Sequence, residues 1–278
     1  NTMSKQDIKI KLLDCTLRDG GYYNNWDFSP ALIKDYLESM VSIQADYVEI
    51  GFRLVNNNDF KAGCAFSTDN YINSLRIPLA LKNKIGVMVN GSDVLSQGNS
   101  ESDIYKVLKE LFKPKKQSPV SLVRIACHLH EFEYCLPAVI WLKDQGYKVG
   151  LNLMQINNAN EAKIAELLKL ANKYPIDVLY FADSMGSLNT QQITTIVNTF
   201  KNNWIGAIGI HAHDSMGNAV NNSMQAVKDG VSWVDCTVAG MGRGPGNSQT
   251  EYLSIELDSY RKLNTSKTKL LKLIRNHF

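Results

Sequence analysis

His211 and His213, in Ile-Gly-Ile-His-Ala-His-Asp, end a short β-branched run. Successive strand residues point to opposite faces, so positions i and i+2 share one. Two imidazoles about 6–7 Å apart along one face can close on a single divalent metal. A carboxylate to complete the set stands far upstream. It is Asp19, in Leu-Asp-Cys-Thr-Leu-Arg-Asp-Gly-Gly, at another predicted strand end. One carboxylate and two imidazoles with open positions form a Lewis-acid site, which is enzyme chemistry. The neighbouring Arg18 offers a planar fork for a carboxylate or an enolate oxygen.

These residues can act together only if separate strands deliver them to one rim. Eight runs rich in Val, Ile and Leu read as strands: 8–17, 47–52, 85–89, 122–129, 149–156, 178–183, 207–213 and 233–239. Most lack strict polar alternation, as strands buried on both faces do. Helical spacing recurs between them at 30–40, 103–112, 161–171, 191–200, 219–228 and 251–263. Ser29 before Pro30 is a good N-cap with proline at the first helical position. Stretches 66–81 and 132–144 carry a weaker pattern. Eight β-then-α units predict an α/β fold of the (β/α)8 TIM-barrel type. A doubly wound open sheet is the alternative, but no glycine-rich dinucleotide fingerprint follows the first strand. The expected organisation is one domain over 1–278, with the barrel at about 8–262 and a helical extension at 263–278.

In such a barrel, chemistry belongs at the C-terminal ends of the strands. Polar residues collect there. Strand one ends in Arg18 and Asp19, strand two carries Glu49, and strand three ends at Asn90. Strand four ends in His128 and His130, strand five includes Asn152 and Gln155, and strand six ends in Asp183 and Ser184. Strand seven carries His211, His213 and Asp214. After strand eight comes Ala-Gly-Met-Gly-Arg-Gly-Pro-Gly-Asn, ending at Asn247, whose glycines let backbone approach a ligand. Arg18, Glu49, Asn152, Ser184 and Gly242 are the expected substrate contacts.

The 278 residues are 44% hydrophobic and 21% charged, an ordinary globular balance. A net charge of +3 is too mild to point to nucleic acid, and Lys113, Lys115 and Lys116 read as a solvated loop. No apolar run approaches the ~20 residues that span a bilayer. Five cysteines, an odd number without zinc-finger spacing, suit a reducing cytoplasm. Cys15, Cys127 and Cys236 lie in apolar runs and read as small buried hydrophobes.

Thr-Leu-Arg-Asp-Gly at 16–20, His-Ala-His at 211–213 and the glycine-rich loop at 239–247 together resemble the DRE-TIM metallolyase superfamily. Asp-Ser-Met-Gly at 183–186 and Val-Asp-Cys-Thr-Val-Ala-Gly-Met-Gly at 234–242 are most similar to its 4-hydroxy-2-oxovalerate aldolases. The resemblance runs from about residue 8 to 257. It implies Asp19, His211 and His213 as ligands of Mn2+ or Mg2+, with Zn2+ or Co2+ also compatible. Asn247 would be a further ligand or a support to one. It implies a 2-oxo acid substrate and a metal-stabilised enolate steadied by Arg18, in a cytoplasmic enzyme that by analogy is a homodimer. The aldolases carry a catalytic histidine two residues beyond the motif glycine, where this chain has Tyr22; His128 is another candidate for proton transfer. The family's partner aldehyde dehydrogenase is not carried over. A Schiff-base mechanism would need a lysine at a strand end, and none is predicted there. Two other readings stay open: an acyl-CoA condensing enzyme of the isopropylmalate synthase type, and a metal-binding barrel without catalysis. The synthases have Glu-Gln where this chain has Gly21-Tyr22, which weakens the former.

Overall fold

Eight parallel strands close on themselves in chain order, β1 pairing with both β2 and β8. They are β1 (Lys11–Asp14), β2 (Tyr47–Phe52), β3 (Ile85–Asn90), β4 (Leu122–Cys127), β5 (Lys148–Leu153), β6 (Val178–Asp183), β7 (Ala207–Ala212) and β8 (Trp233–Cys236). This is the expected (β/α)8 barrel. The computed structural model describes residues 8–55, 61–156, 159–183 and 185–278. Ser184 lies outside the described residues. Among the described residues no helix is long and apolar enough to cross a membrane.

Helices follow each strand and bury one face against it. Pro30–Ser42 starts where expected, with Ser29 Oγ accepting from the Leu32 amide at 3.1 Å. Stretch 66–81 divides into Gly63–Phe66, Asp69–Ser74 and a 3-10 turn at Leu79–Leu81. Its left-handed Ser67 and Arg76 explain why no single period runs through it. Stretch 132–144 belongs to one helix, Leu129–Asp144. A last helix, Thr268–His277, lies against Pro30–Ser42, with His277 Nε2 and Asp35 Oδ2 2.8 Å apart.

Five expected strands end early, at Asp14, Cys127, Leu153, Ala212 and Cys236, and the first two endings matter most for the site. β1 stops at Asp14 rather than at residue 17. The Asp14 carboxylate takes the Thr16 amide at 2.9 Å and its hydroxyl at 2.6 Å, offering the backbone an alternative to the sheet ladder. Thr16–Asp19 then makes one helical turn, so Arg18 and Asp19 sit on a turn above the strand. β4 stops at Cys127; His128 is the N-cap of the next helix, and its amide donates to Glu131 Oε1 at 2.9 Å.

The barrel's lower interior is apolar. Leu13, Cys15, Tyr47, Leu122, Val178, Tyr180 and Trp233 form one buried cluster there, with Tyr47 and Trp233 stacked at 5.0 Å. The larger core fills the space between strands and helices. Inside the barrel, glycine makes room for bulk. A Cβ on Gly209 of β7 would stand 2.6 Å from the Tyr180 ring, and one on Gly150 of β5 would stand 3.3 Å from Arg124 Cγ. Gly209→Ala is therefore expected to lower stability by about 1–3 kcal/mol through overpacking, measured as a shift in the urea midpoint. An unchanged midpoint would show that the ring moves aside freely.

Candidate metal centre

β7 delivers His211 from its end and His213 from just beyond it, both nearly buried. The i, i+2 spacing brings the rings together, with the two Nε2 atoms 3.2 Å apart. Asp19 arrives from the turn after β1, its Oδ2 3.2 Å from His211 Nε2. Three donors from two ends of the chain thus converge. Asn247 joins them from the glycine-rich loop, where it pairs with His213 as an isolated bridge. Its Nδ2 donates to Asp19 Oδ2 at 2.8 Å and to Met241 O at 3.0 Å. Its Oδ1 is buried without a partner. Gly242 matters here through what it lacks, since a Cβ at that position would collide with the Asn247 amide.

Behind these donors a chain of buried charges crosses the barrel. His211 Nδ1 lies 2.8 Å from Asp235 Oδ2 on β8. Such a carboxylate behind an imidazole fixes the ring and leaves Nε2 to face a metal. Arg124 on β4 donates Nη1 to the same Asp235 oxygen at 2.7 Å. It also holds Glu49 of β2 with two bonds, Nε to Oε2 at 2.6 Å and Nη2 to Oε1 at 2.8 Å. Glu49 in turn accepts from Arg18 Nε, and Arg18 Nη1 stands 3.5 Å from Asp19 Oδ1. The circuit closes: Asp19, His211, Asp235, Arg124, Glu49, Arg18 and back to Asp19.

The charges hold one another in their ionised forms. Burial favours the neutral acid at Asp19, but the Arg18 guanidinium and His211 hold its carboxyl far below the usual range. Burial likewise opposes charge on Asp235, and Arg124 and His211 overcome it. Burial disfavours protonated His211, yet its hydrogen bonds to Asp19, Asp235 and Cys15 push it well above the ordinary imidazole value. A divalent cation bound to Nε2 would replace that proton with its own charge. The chemistry of the donors suits such an ion: Asp19 Oδ2 and His213 Nε2 each lie 3.2 Å from His211 Nε2, and the Asn247 oxygen is buried without a partner.

The remaining expected residues divide. The Arg18 fork is fixed by Glu49 and by Phe52, whose ring centre is 5.5 Å from its guanidinium, while its backbone carbonyl accepts from Trp26 Nε1 at 2.8 Å. Asn152 is buried on β5 with Oδ1 unpartnered. Tyr22 lies over the mouth between Trp26, Phe52 and the Arg243 guanidinium, which is 5.0 Å from its ring. Burial lifts its phenol above the usual value, with Arg18 and Arg243 pulling the other way. It is thus protonated at neutral pH. His128 is exposed at the rim, stacked on His130 at 5.8 Å, outside the charged circuit. Asp183 accepts from the amides of Ser187 and Leu188 and so ties its own loop.

Three participants were not legible in the strand-end pattern: Arg124, Asp235 and Cys15. The signal for the first two is a charge inside a run otherwise buried on both faces, Leu-Val-Arg-Ile and Trp-Val-Asp-Cys. Cys15 is buried as expected, but not merely as a hydrophobe. Its Sγ, an Asp19 carboxylate oxygen and a His211 ring nitrogen lie within 4.8 Å of one another. Burial pushes this thiol up to about 11.

A parallel eight-stranded barrel with a carboxylate and paired imidazoles at the C-terminal mouth defines a class of metal-dependent barrel. The HMGL-like family model matches residues 9–276, and the chain belongs to that family. The 4-hydroxy-2-oxovalerate aldolase of Pelotomaculum thermopropionicum is 29% identical over 247 residues, 88% of this chain and 69% of its own length. That of Carboxydothermus hydrogenoformans is 28% identical over 248 residues, again 88% and 69%. The N-terminal domain of a provisionally assigned aldolase from Bacteroides vulgatus superposes with a TM-score of 0.83 at 28% identity, covering 96% of this chain and 85% of that one. The HMG-CoA lyase of Bacillus subtilis shares the fold, with a TM-score of 0.74 at 14% identity over 96% and 92%.

Arg124→Met would leave the Glu49 and Asp235 carboxylates buried without their shared cation. Breaking a buried ionic group in this way is expected to cost about 3–5 kcal/mol. Urea unfolding measures it, and a loss below about 1 kcal/mol would show that the circuit is dispensable to the fold.

Proposed function

We propose that this chain is a divalent-metal-dependent aldolase that cleaves a 4-hydroxy-2-oxo acid to pyruvate and an aldehyde. The observation that carries the proposal is the placement of His211 Nε2 at 3.2 Å from both His213 Nε2 and Asp19 Oδ2, directly beside Arg18. The similarity to 4-hydroxy-2-oxovalerate aldolases over 88% of the chain supports the reaction class.

In this reading Asp19, His211 and His213 hold the cation, and Asn247 either adds its oxygen or steadies Asp19. A bound cation supplies Lewis-acid polarisation of the 2-oxo group. Two imidazoles beside one carboxylate suit Mn2+ better than Mg2+, which prefers oxygen alone. Arg18, clamped by Glu49, presents a fixed positive charge to the oxygen on which charge develops as the C3–C4 bond breaks. Its charge needs no rearrangement at that moment, because Glu49 and Phe52 hold it already.

Asn152 and Gly242 complete the floor and wall of the substrate space. Tyr22, protonated and within electrostatic reach of Arg18, Asp19 and His211, is assigned to proton donation. His128 is the imidazole available at the rim to receive the proton of the 4-hydroxyl. The aldehyde passes the aromatic and amide-rich turn at 22–26.

A coupled assay of pyruvate release from a panel of 4-hydroxy-2-oxo acids tests the proposal. Release is expected with Mn2+ and not with excess chelator. Asp19→Asn and His211→Ala should each lower kcat/KM by roughly 100-fold or more, the scale of several kcal/mol of lost charge stabilisation. Full activity in either variant would remove the metal from the mechanism. Thiol release from acetyl-CoA with 2-oxo acids, and no pyruvate from any panel member, would move the chain to the condensing branch.

A further inference from the structure

The inner face of each strand continues, two residues at a time, to the N-terminal end of the barrel. Tyr47, Leu122, Val178 and Trp233, one from each even strand, make one layer of the buried cluster. The layer beneath it comes from the odd strands. Lys11 stands two residues before Leu13 on β1, Lys148 two before Gly150 on β5, and Ala207 two before Gly209 on β7. Lys84 precedes β3 and stands two before Gly86, where an added Cβ would meet the Leu122 side chain at 3.6 Å. A barrel layer that ordinarily holds branched apolar side chains is here three lysines and an alanine.

Contacts agree with this placement. Lys11 Nζ lies 5.8 Å from the centre of the Trp233 ring, and Lys148 Nζ lies 5.9 Å from that of Tyr47. The two rings stack on each other, so both ammonium groups share one aromatic floor. Burial lowers the Lys11 amine below its ordinary value. Asp46 opposes this, and the charges of Lys9, Lys148 and Lys84 add to it.

The cations lack local counter-charges. Among the described residues no carboxylate forms an ion pair with Lys9, Lys11, Lys84 or Lys148. Asp46, before β2, accepts from the Leu12 amide at 2.8 Å and pairs with Arg261 at 3.2 Å. Asp177, before β6, holds the Val149 amide and Lys143 Nζ, each at 2.8 Å. Like charges gathered on one rim repel until an opposite charge joins them.

We propose that this N-terminal mouth is an anion site, which takes a compact polyvalent oxyanion of the phosphate class on Lys11, Lys84 and Lys148. It lies at the opposite end of the barrel from the candidate metal centre and does not rest on the aldolase reading. Three ammonium groups around one axis suit an anion with several acceptor oxygens and more than one negative charge. The competing role of these lysines is solubility alone, each ammonium in water and indifferent to its neighbours.

Calorimetric titration of the protein with inorganic pyrophosphate, at low ionic strength and without added divalent cation, separates the two roles. One molecule is expected to bind per chain, more weakly as salt rises. Lys11→Gln, Lys84→Gln and Lys148→Gln should each weaken binding by about tenfold, the scale of one charged hydrogen bond. Lys169→Gln removes the same charge from the exposed side of helix Glu161–Ala171 and should leave the affinity unchanged. A melting temperature that pyrophosphate raises in the unaltered protein, and raises less in Lys11→Gln, is the expected second reading. Tighter binding of ADP than of pyrophosphate would assign the site to the phosphate end of an organic molecule, and the reverse order to the free anion; both support the site. No binding, binding that Lys169→Gln weakens as much, or binding that the three inner variants leave alone would overturn it.

Discussion

Arg124 is fully buried inside the barrel, and its guanidinium has to be neutralised there. Glu49 from β2 and Asp235 from β8 do this from opposite sides. Everything at the mouth follows from that arrangement. Asp235 can hold His211 because Arg124 holds Asp235. Glu49 can hold Arg18 because Arg124 holds Glu49. A lone pair of opposite charges in this position would be a poor use of burial, since desolvation commonly offsets the attraction. A closed circuit with several shared hydrogen bonds satisfies each charge from more than one side. Its geometric effect outlasts the energy balance, because four strands and the turn after β1 must present their side chains at one height.

The loops above the circuit are arranged to finish it. The turn after β1 brings Arg18 and Asp19, and the loop after β8 brings Asn247. The two loops also meet over the mouth, through Arg243 on Tyr22 and the Tyr23 hydroxyl on the Gly244 carbonyl at 3.4 Å. Trp26 underlies this meeting. It and Asn25 have left-handed backbone, at φ 59° and 53°, an unfavourable conformation for non-glycine residues. Burial of the indole and its bond to the Arg18 carbonyl oppose that strain. A Cβ at Gly21 would collide with the same indole, so the tight turn and the anchored ring depend on each other.

Much of this could be read from the chain. The apolar runs located all eight strands, because parallel strands buried on both faces advertise themselves by composition. The His-X-His spacing alone brought two imidazoles to one face, and the Arg-Asp pair completed the cluster. What escaped was phase and depth. Asp14 ends β1 through a side-chain hydrogen bond that no periodicity encodes, and this turned the expected strand end at Asp19 into a helical turn. His128 looked like a strand-end histidine but caps a helix and faces solvent. Arg124 and Asp235 sit in mid-strand, where the search for polar strand ends does not look. Gly150 could have pointed to Arg124, as a gap on the inner wall that a large side chain must fill.

The circuit joins the first strand region to the last, with Asp19 and Asp235 more than two hundred residues apart. β1 and β8 must pair before it can close, and loop closure of that length is slow to be rewarded. Until then Arg124, Glu49 and Asp235 stay hydrated, because an open sheet exposes its inner face to water. A partly folded barrel therefore carries a polar stripe along the wall that is to become its interior. That stripe makes the half-formed sheet a poor template for adhesion to another copy, in the way inward-pointing charges guard exposed strand edges.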